Sequence, residues 1–167
     1  DTLFSNLYLA YETLSPGLQN MLRGMRAIHT SAMPYGGKTA RSAALSRDHV
    51  KQTGEFDFEM DNVEEKLIET AHPVIRQHPD TGRLSLYVNR AFTSHFENWT
   101  PEESKPLLEF LWEHAERPEF TCRYRWRQGS VGIWDNRCVL HYALNDYYGQ
   151  RRVLHRISVN EANRPTA

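Results

Sequence analysis

Cysteine is scarce in this chain, and neither sign of charge is in excess. Only two cysteines, Cys122 and Cys138, occur in 167 residues, and both lie in apolar, strand-like segments. This scarcity excludes the disulfide framework of small secreted domains, so we expect a cytoplasmic protein. The 20 basic and 21 acidic residues nearly cancel, which gives no global electrostatic case for binding nucleic acid or an anionic membrane.

Long apolar runs are also lacking. No stretch approaches the roughly 20 apolar residues that a membrane-spanning helix needs, and no signal peptide is recognisable. The length favours a single domain over residues 1–167. The chain opens on Asp1 without a methionine, and an apolar pattern begins almost at once, so we expect further residues to precede it.

The first 70 residues predict two short helices and a long loop. Ser5 is the expected N-cap of a helix over residues 6–14, and Ser15 with Pro16 begins a second helix. Residues 30–70 contain scattered charges, glycine and proline with weak periodicity. Such a long loop is either an active-site lid or a surface excursion.

The remainder of the chain carries mostly strand signals. Residues 71–77 and 84–89, joined by the turn-forming residues 78–82, predict a hairpin. Thr100 and Glu103 form the sequence pattern of a capping box, with a helix following. Further strands are predicted over residues 120–127, 131–134, 138–143 and 151–159. This order favours a mainly β fold, a sandwich or open barrel with helices packed outside.

Residues 120–127 alternate with period two, so aromatic and basic side chains take opposite faces. One face carries Phe120, Cys122, Tyr124 and Trp126, and the other carries Thr121, Arg123, Arg125 and Arg127. Binding single-stranded RNA requires aromatic and basic side chains on the same face. An RNA-binding domain is therefore a distant alternative. Core packing is favoured, with an arginine row facing solvent or a second copy of the chain in a homo-oligomer.

The residues that suggest chemistry lie between 133 and 157. His141 follows Cys-Val-Leu and is either a core histidine or a metal ligand. Arg152 and Arg156 fall on one face of the predicted strand 151–159, roughly 13 Å apart. A guanidinium group matches a carboxylate, so these arginines bind either an acidic ligand or the chain's own acidic residues.

Together these segments resemble the taurine/2,4-dichlorophenoxyacetate dioxygenase family of Fe(II)- and 2-oxoglutarate-dependent oxygenases. The resemblance rests on Trp-Asp-Asn-Arg-Cys-Val-Leu-His at 134–141, followed by Arg152 and Arg156, and it extends back through residues 125–127, 89–93 and 72–74 to the opening Asp-Thr-Leu. It implies a double-stranded β-helix (jelly-roll, cupin-like) core, of which this chain is the carboxy-terminal portion. It also implies hydroxylation of a small anionic organic substrate, such as a sulfonate, sulfate ester or carboxylate, with release of succinate and CO2.

The resemblance assigns roles to six residues, with Fe(II), 2-oxoglutarate and O2 as the reactants that the protein would hold. His141 matches an iron ligand, and Trp134 matches a tryptophan beside the iron. Thr2 and Arg152 match the residues that bind the far carboxylate of 2-oxoglutarate. Phe92 and Arg156 match residues that contact the substrate.

The other two iron ligands of the family form a His-x-Asp pair, which we expect upstream of Asp1. His78-Pro79-Asp80 has the same spacing, but it lies in a segment of turn composition, and we do not expect it to bind metal. A non-catalytic jelly-roll binding module that lacks a complete metal site is the alternative to an enzyme. Neither reading predicts a nucleic-acid or membrane partner.

Overall fold

The structure, a computed structural model, describes residues 1–31 and 68–159. The described part is mainly β, with three α-helices and one short 3-10 helix, which confirms the fold class predicted from the sequence at that level. The strands are β1 (Thr2–Asn6), β2 (Arg26–Thr30), β3 (Glu69–Pro73), β4 (Ile75–Gln77), β5 (Leu84–Leu86), β6 (Thr93–Phe96), β7 (Thr121–Tyr124) and β8 (Val139–Ala143). The helices are α1 (Leu7–Glu12), α2 (Pro16–Leu22) and α3 (Pro101–Ala115), and the 3-10 helix is Pro118–Phe120.

The strands form three antiparallel sheets. One sheet has the order β7-β1-β8, the second has the order β3-β2-β6, and the third is the β4-β5 pair. The β4-β5 pair confirms the predicted hairpin, with Ile75 opposite Leu86. The first sheet brings β1 between two strands that follow it by more than a hundred residues, and this sheet carries the candidate site.

The helices cover the sheets and close the core. The capping box of α3 is formed as predicted, because the Thr100 hydroxyl accepts from the Glu103 N–H and the Glu103 carboxylate accepts from the Thr100 N–H. Ser15 caps α2 as predicted, with Pro16 in its first turn. Buried apolar residues from both halves of the described chain share one cluster, including Leu7, Leu22, Leu86, Phe96, Leu108 and Leu111.

The predicted start of the first helix is wrong. Ser5 does not cap α1. It lies in β1, where its buried hydroxyl donates to the Ala115 carbonyl oxygen at 2.5 Å. The cap is Asn6, whose side-chain oxygen accepts from the N–H groups of Tyr8 and Leu9. An asparagine at the junction of strand and helix satisfies the same orphan donors that a serine would.

The strand predictions are partly wrong as well. The predicted strand 71–77 is broken at Val74, because its two halves pair in different sheets. The predicted strand 120–127 shortens to β7, with Phe120 ending the 3-10 helix. Residues 131–134 and 151–159 form no strand. Alternation alone does not make a strand, since the backbone groups also need a neighbouring strand, and in the described part of the chain β8 pairs only with β1.

Three further predictions concern absent features or residues beyond the described ranges. Cys122 and Cys138 are free thiols, as predicted. Among the described residues, no helix combines the length and the apolar character that crossing a membrane requires. The proposed loop or lid at residues 30–70 falls mainly outside the described ranges, although Thr30 belongs to β2 and Glu69 and Thr70 belong to β3.

Candidate functional site

The site is built on one face of the β7-β1-β8 sheet. Phe4 of β1 lies opposite His141 of β8, and Thr2 lies opposite Ala143. Residues that pair directly across antiparallel strands project to the same side, and side chains along one strand alternate between sides. Thr2, Phe4, His141 and Ala143 therefore share one face. The opposite face carries Ser5, which is bonded to the last turn of α3.

Two aromatic rings flank His141. The Trp134 ring centroid lies 5.0 Å from that of His141, and the Phe4 centroid lies 6.4 Å from it. Trp134 also packs against Phe4 at 5.2 Å. Partial burial of the His141 ring is the main cause that lowers its pKa, and the positive charge of Arg156 lowers it further. The ring is therefore neutral at neutral pH, which is the form that binds metals, and it retains solvent access.

The Thr2 hydroxyl is buried and oriented by a tryptophan. The indole Nε1–H of Trp126 donates to Thr2 Oγ1 at 2.9 Å. Indole is only a donor, so the Thr2 oxygen is the acceptor and its own O–H can donate to a ligand. The sequence assigned Trp126 only to an aromatic face. The signal that identifies its role is the alternation that places it two residues after Tyr124, which pairs with Thr2.

A cleft of about 330 Å³ brings the predicted iron ligand and the predicted 2-oxoglutarate arginine together. Its walls include His141, Asn145, Tyr147 and Arg152. The Arg152 guanidinium lies 5.6 Å from the centre of the Tyr147 ring, and within residues 1–31 and 68–159 no acidic group pairs with it. The arginine is therefore available to an anion that enters the cleft.

The two predicted substrate residues, Arg156 and Phe92, lie in different parts of the structure. Arg156 is exposed, and its charge acts on His141. Phe92 lies beside the β3-β2-β6 sheet, where its carbonyl oxygen accepts from the Thr30 N–H, and it is not part of the cleft wall. The prediction that Arg152 and Arg156 share a strand face is wrong, because residues 151–159 form no strand.

His78 is held by three hydrogen bonds next to the β4-β5 turn. Its Nδ1 accepts from the backbone N–H groups of Asp80 and Thr81, so Nε2 carries the proton and donates to Asp135 at 3.0 Å. Asp135 is also held by Arg137, and these hydrogen bonds, with that of His78, keep the pKa of its carboxyl well below the usual range. We name this cluster of His78, Asp135 and Arg137 the turn clamp. It fixes the β4-β5 turn to the segment that carries Trp134 into the site.

Two residues of the turn clamp, His78 and Asp135, also belong to a candidate metal cluster of the described residues. His78, Asp135 and Cys138 offer ligand atoms within 4.8 Å of one another. Both nitrogens of His78 are already hydrogen-bonded, and Asp135 is neutralised by Arg137. A metal would have to break these bonds, so we assign the cluster to structure.

Comparison with known proteins connects this geometry to one family. Residues 1–158 match the family described as "Taurine catabolism dioxygenase TauD, TfdA family". The chain is 35% identical to an alkylsulfatase of Acinetobacter baylyi over 159 residues, which is 95% of this chain and 47% of that protein. It is 31% identical over 161 residues to the alpha-ketoglutarate-dependent sulfate ester dioxygenase of Pseudomonas putida, covering 95% of this chain and 50% of that protein.

Solved structures give the same result. A taurine dioxygenase from Burkholderia xenovorans superposes with a TM-score of 0.62 at 38% identity, over 84% of this chain and 39% of that one. The chain thus spans about half the length, or less, of the relatives that it matches. The family match covers residues 1–158, which is nearly all of this chain. The chain therefore belongs to the TauD/TfdA dioxygenase family, as the sequence resemblance predicts.

Proposed function

We propose that these residues form part of an Fe(II)- and 2-oxoglutarate-dependent dioxygenase that hydroxylates a small anionic organic substrate and releases succinate and CO2. The substrate class is a sulfonate, a sulfate ester or a carboxylate. Relatives whose names specify alkyl sulfates or sulfate esters support this class. The fold that we propose for the whole protein is a double-stranded β-helix, with this chain as its carboxy-terminal portion.

The observation that carries the proposal is the cleft shared by His141 and Arg152. A neutral imidazole at one place suits a metal that a ligand chelates. A guanidinium at another place, with no acidic partner among the described residues, suits a carboxylate that the ligand extends away from the metal. The donating hydroxyl of Thr2 lies on the same sheet face as His141. Thr2 and Arg152 together would hold the far carboxylate of 2-oxoglutarate.

The described residues supply only part of the proposed metal site. Within residues 1–31 and 68–159, His141 is the only one of the three expected protein ligands that we identify. His78 and Asp135 are excluded because they are hydrogen-bonded to each other in the turn clamp. We expect the remaining two in a His-x-Asp pair upstream of Asp1. Fe(II) bound there would activate O2 for substrate hydroxylation. The residues of this chain would orient the cosubstrate, while Trp134 and Phe4 would shield His141 from bulk water.

Substrate recognition is assigned to two residues. Arg156 is close enough to influence the pKa of His141, so it can attract an anionic substrate toward the metal. Phe92 would line the substrate pocket from the side of the β3-β2-β6 sheet. These assignments predict that an Arg156 variant changes the KM for the substrate more than the affinity for 2-oxoglutarate.

The test uses anaerobic full-length protein with Fe(II) and 2-oxoglutarate. We expect the visible metal-to-ligand charge-transfer band of the chelate. Arg152→Met should weaken 2-oxoglutarate binding about 100-fold, because it removes charge-assisted hydrogen bonds to a carboxylate. Arg151→Met, at the exposed neighbouring arginine, is the matched control and should bind normally. A folded, iron-loaded protein without the band would contradict the proposal and favour a non-catalytic binding module.

A further inference from the structure

The cleft contains a polar side chain that neither the sequence motif nor the comparisons assign. Both amide atoms of Asn145, Nδ2 and Oδ1, are buried and have no hydrogen-bond partner among the described residues. A buried amide without a partner is costly, and native proteins keep few such groups. Asn145 lies in the wall that also contains His141 and Arg152. The residue that carries the unpaired amide therefore borders the cleft in which a ligand is expected.

The residues on both sides of Asn145 are held by hydrogen bonds. The Leu144 N–H donates to the Asp1 carbonyl oxygen at 3.0 Å, which continues the pairing of β8 with β1. The Asp146 carboxylate accepts from Arg123 Nη2 at 2.8 Å. Because both amide atoms are also buried, the Asn145 side chain is confined where it extends from this segment. Its position is set before any ligand arrives, which lowers the entropic cost of binding.

The neighbours of Asn145 identify the chemical class of the ligand. Asn145 follows Ala143 by two residues, and Ala143 pairs with Thr2, so the amide lies toward the Thr2 end of the site. The amide Nδ2 donates, as do the Thr2 hydroxyl and the Arg152 guanidinium. A set of donors on this side of the site suits a carboxylate, which only accepts when ionised. The Asn145 Oδ1 acceptor is available to a guanidinium N–H of Arg152.

We infer that Asn145 is a further binding residue for the far carboxylate of the cosubstrate, acting with Arg152 and Thr2. This inference rests on the proposed function. Asn145 would make the site select 2-oxo acids that carry a second carboxylate. A 2-oxo acid without that carboxylate would gain nothing from Asn145. The selectivity would come from the unpaired amide, which gains a partner only when the second carboxylate is present.

The experiment compares two probes by calorimetry on full-length protein loaded with Mn(II). 2-Oxoglutarate carries both carboxylates, and 2-oxobutanoate carries only the one beside the ketone. Asn145→Leu should weaken 2-oxoglutarate binding about 10- to 100-fold, since it removes a hydrogen bond to a charged group. Binding of 2-oxobutanoate should stay unchanged. The same variant should raise the midpoint of thermal unfolding without ligand, because it removes an unsatisfied buried amide.

Asn145→Asp keeps the size of the side chain and adds a negative charge, so it should weaken 2-oxoglutarate more than Asn145→Leu does. Two results would overturn the inference: unchanged 2-oxoglutarate affinity in both variants, or equal weakening of both probes. Either result leaves the proposed function standing when the wild-type protein binds 2-oxoglutarate. Failure of the wild-type protein to bind either probe would instead refute the proposed function, and the inference with it.

Discussion

His29 makes the stability of this protein depend on pH in a defined direction. Its ring is partly buried, stacks on Tyr87 at 5.4 Å and lies 4.9 Å from the ring of His72. Its Nε2 is 3.0 Å from the Thr93 hydroxyl. Burial, followed by the charge of His72, lowers the pKa of His29 to about 4. The folded state therefore disfavours the protonated ring.

The sign and size of the effect follow from linkage. Between pH 6.5 and 4 the unfolded chain binds a proton at His29 that the folded protein does not, so the free energy of unfolding falls as pH falls. The stabilisation is present above the unfolded pKa and is lost toward pH 4. For this shift the loss from pH 7 to pH 5 is about 2 kcal/mol. His72, whose pKa is also lowered by burial, adds a loss of the same sign.

The assay is urea unfolding at pH 7 and pH 5, followed by circular dichroism. His29→Gln keeps an amide that can bond Thr93 and removes the titration, so it should reduce the loss of stability between the two pH values by about 2 kcal/mol. His155→Gln, at an exposed histidine, should lose as much as the wild type. If His29→Gln and the wild type lost equal stability between pH 7 and pH 5, the reasoning would be refuted.

Two further predictions concern contacts that support the site. His78→Ala should lower the free energy of unfolding by about 2–4 kcal/mol, since it removes three hydrogen bonds including one to a carboxylate. Urea unfolding measures this loss, with His155→Ala as the control. Equal losses in the two variants would contradict a stabilising role for the turn clamp. Trp126→Phe removes the donor that orients Thr2, and we expect calorimetry to show roughly 2- to 10-fold weaker 2-oxoglutarate binding. Trp99→Phe, at an exposed tryptophan, should bind normally, and normal binding by Trp126→Phe would argue against the orienting role.

The sequence predicted elements whose signals are local. The capping box at Thr100, the cap at Ser15 and the β4-β5 hairpin each depend on residues a few positions apart, and all three are confirmed. The predictions that failed depend on distant partners. Residues 151–159 alternate like a strand, but no described strand offers them hydrogen bonds, so they stay irregular.

The candidate site was predictable from the sequence only in part, as the fold was. The motif around His141 and the arginines that follow it could be read directly, and the structure brings His141 and Arg152 to one cleft. The roles of Trp126 and Asn145 could not be read, because they depend on which strand lies beside β1. Once the register of Thr2 with Tyr124 and Ala143 is known, the period of two identifies both.

The position of β1 at the centre of its sheet has a consequence for the order of folding. Thr2 pairs with Ala143, roughly 140 positions along the chain, and such non-local pairing raises contact order and slows folding. Helix α3 and the β4-β5 hairpin need only local contacts and can form early. The sheet that carries His141 would then assemble last, so the metal and cosubstrate residues would come together only when β1 pairs with β8.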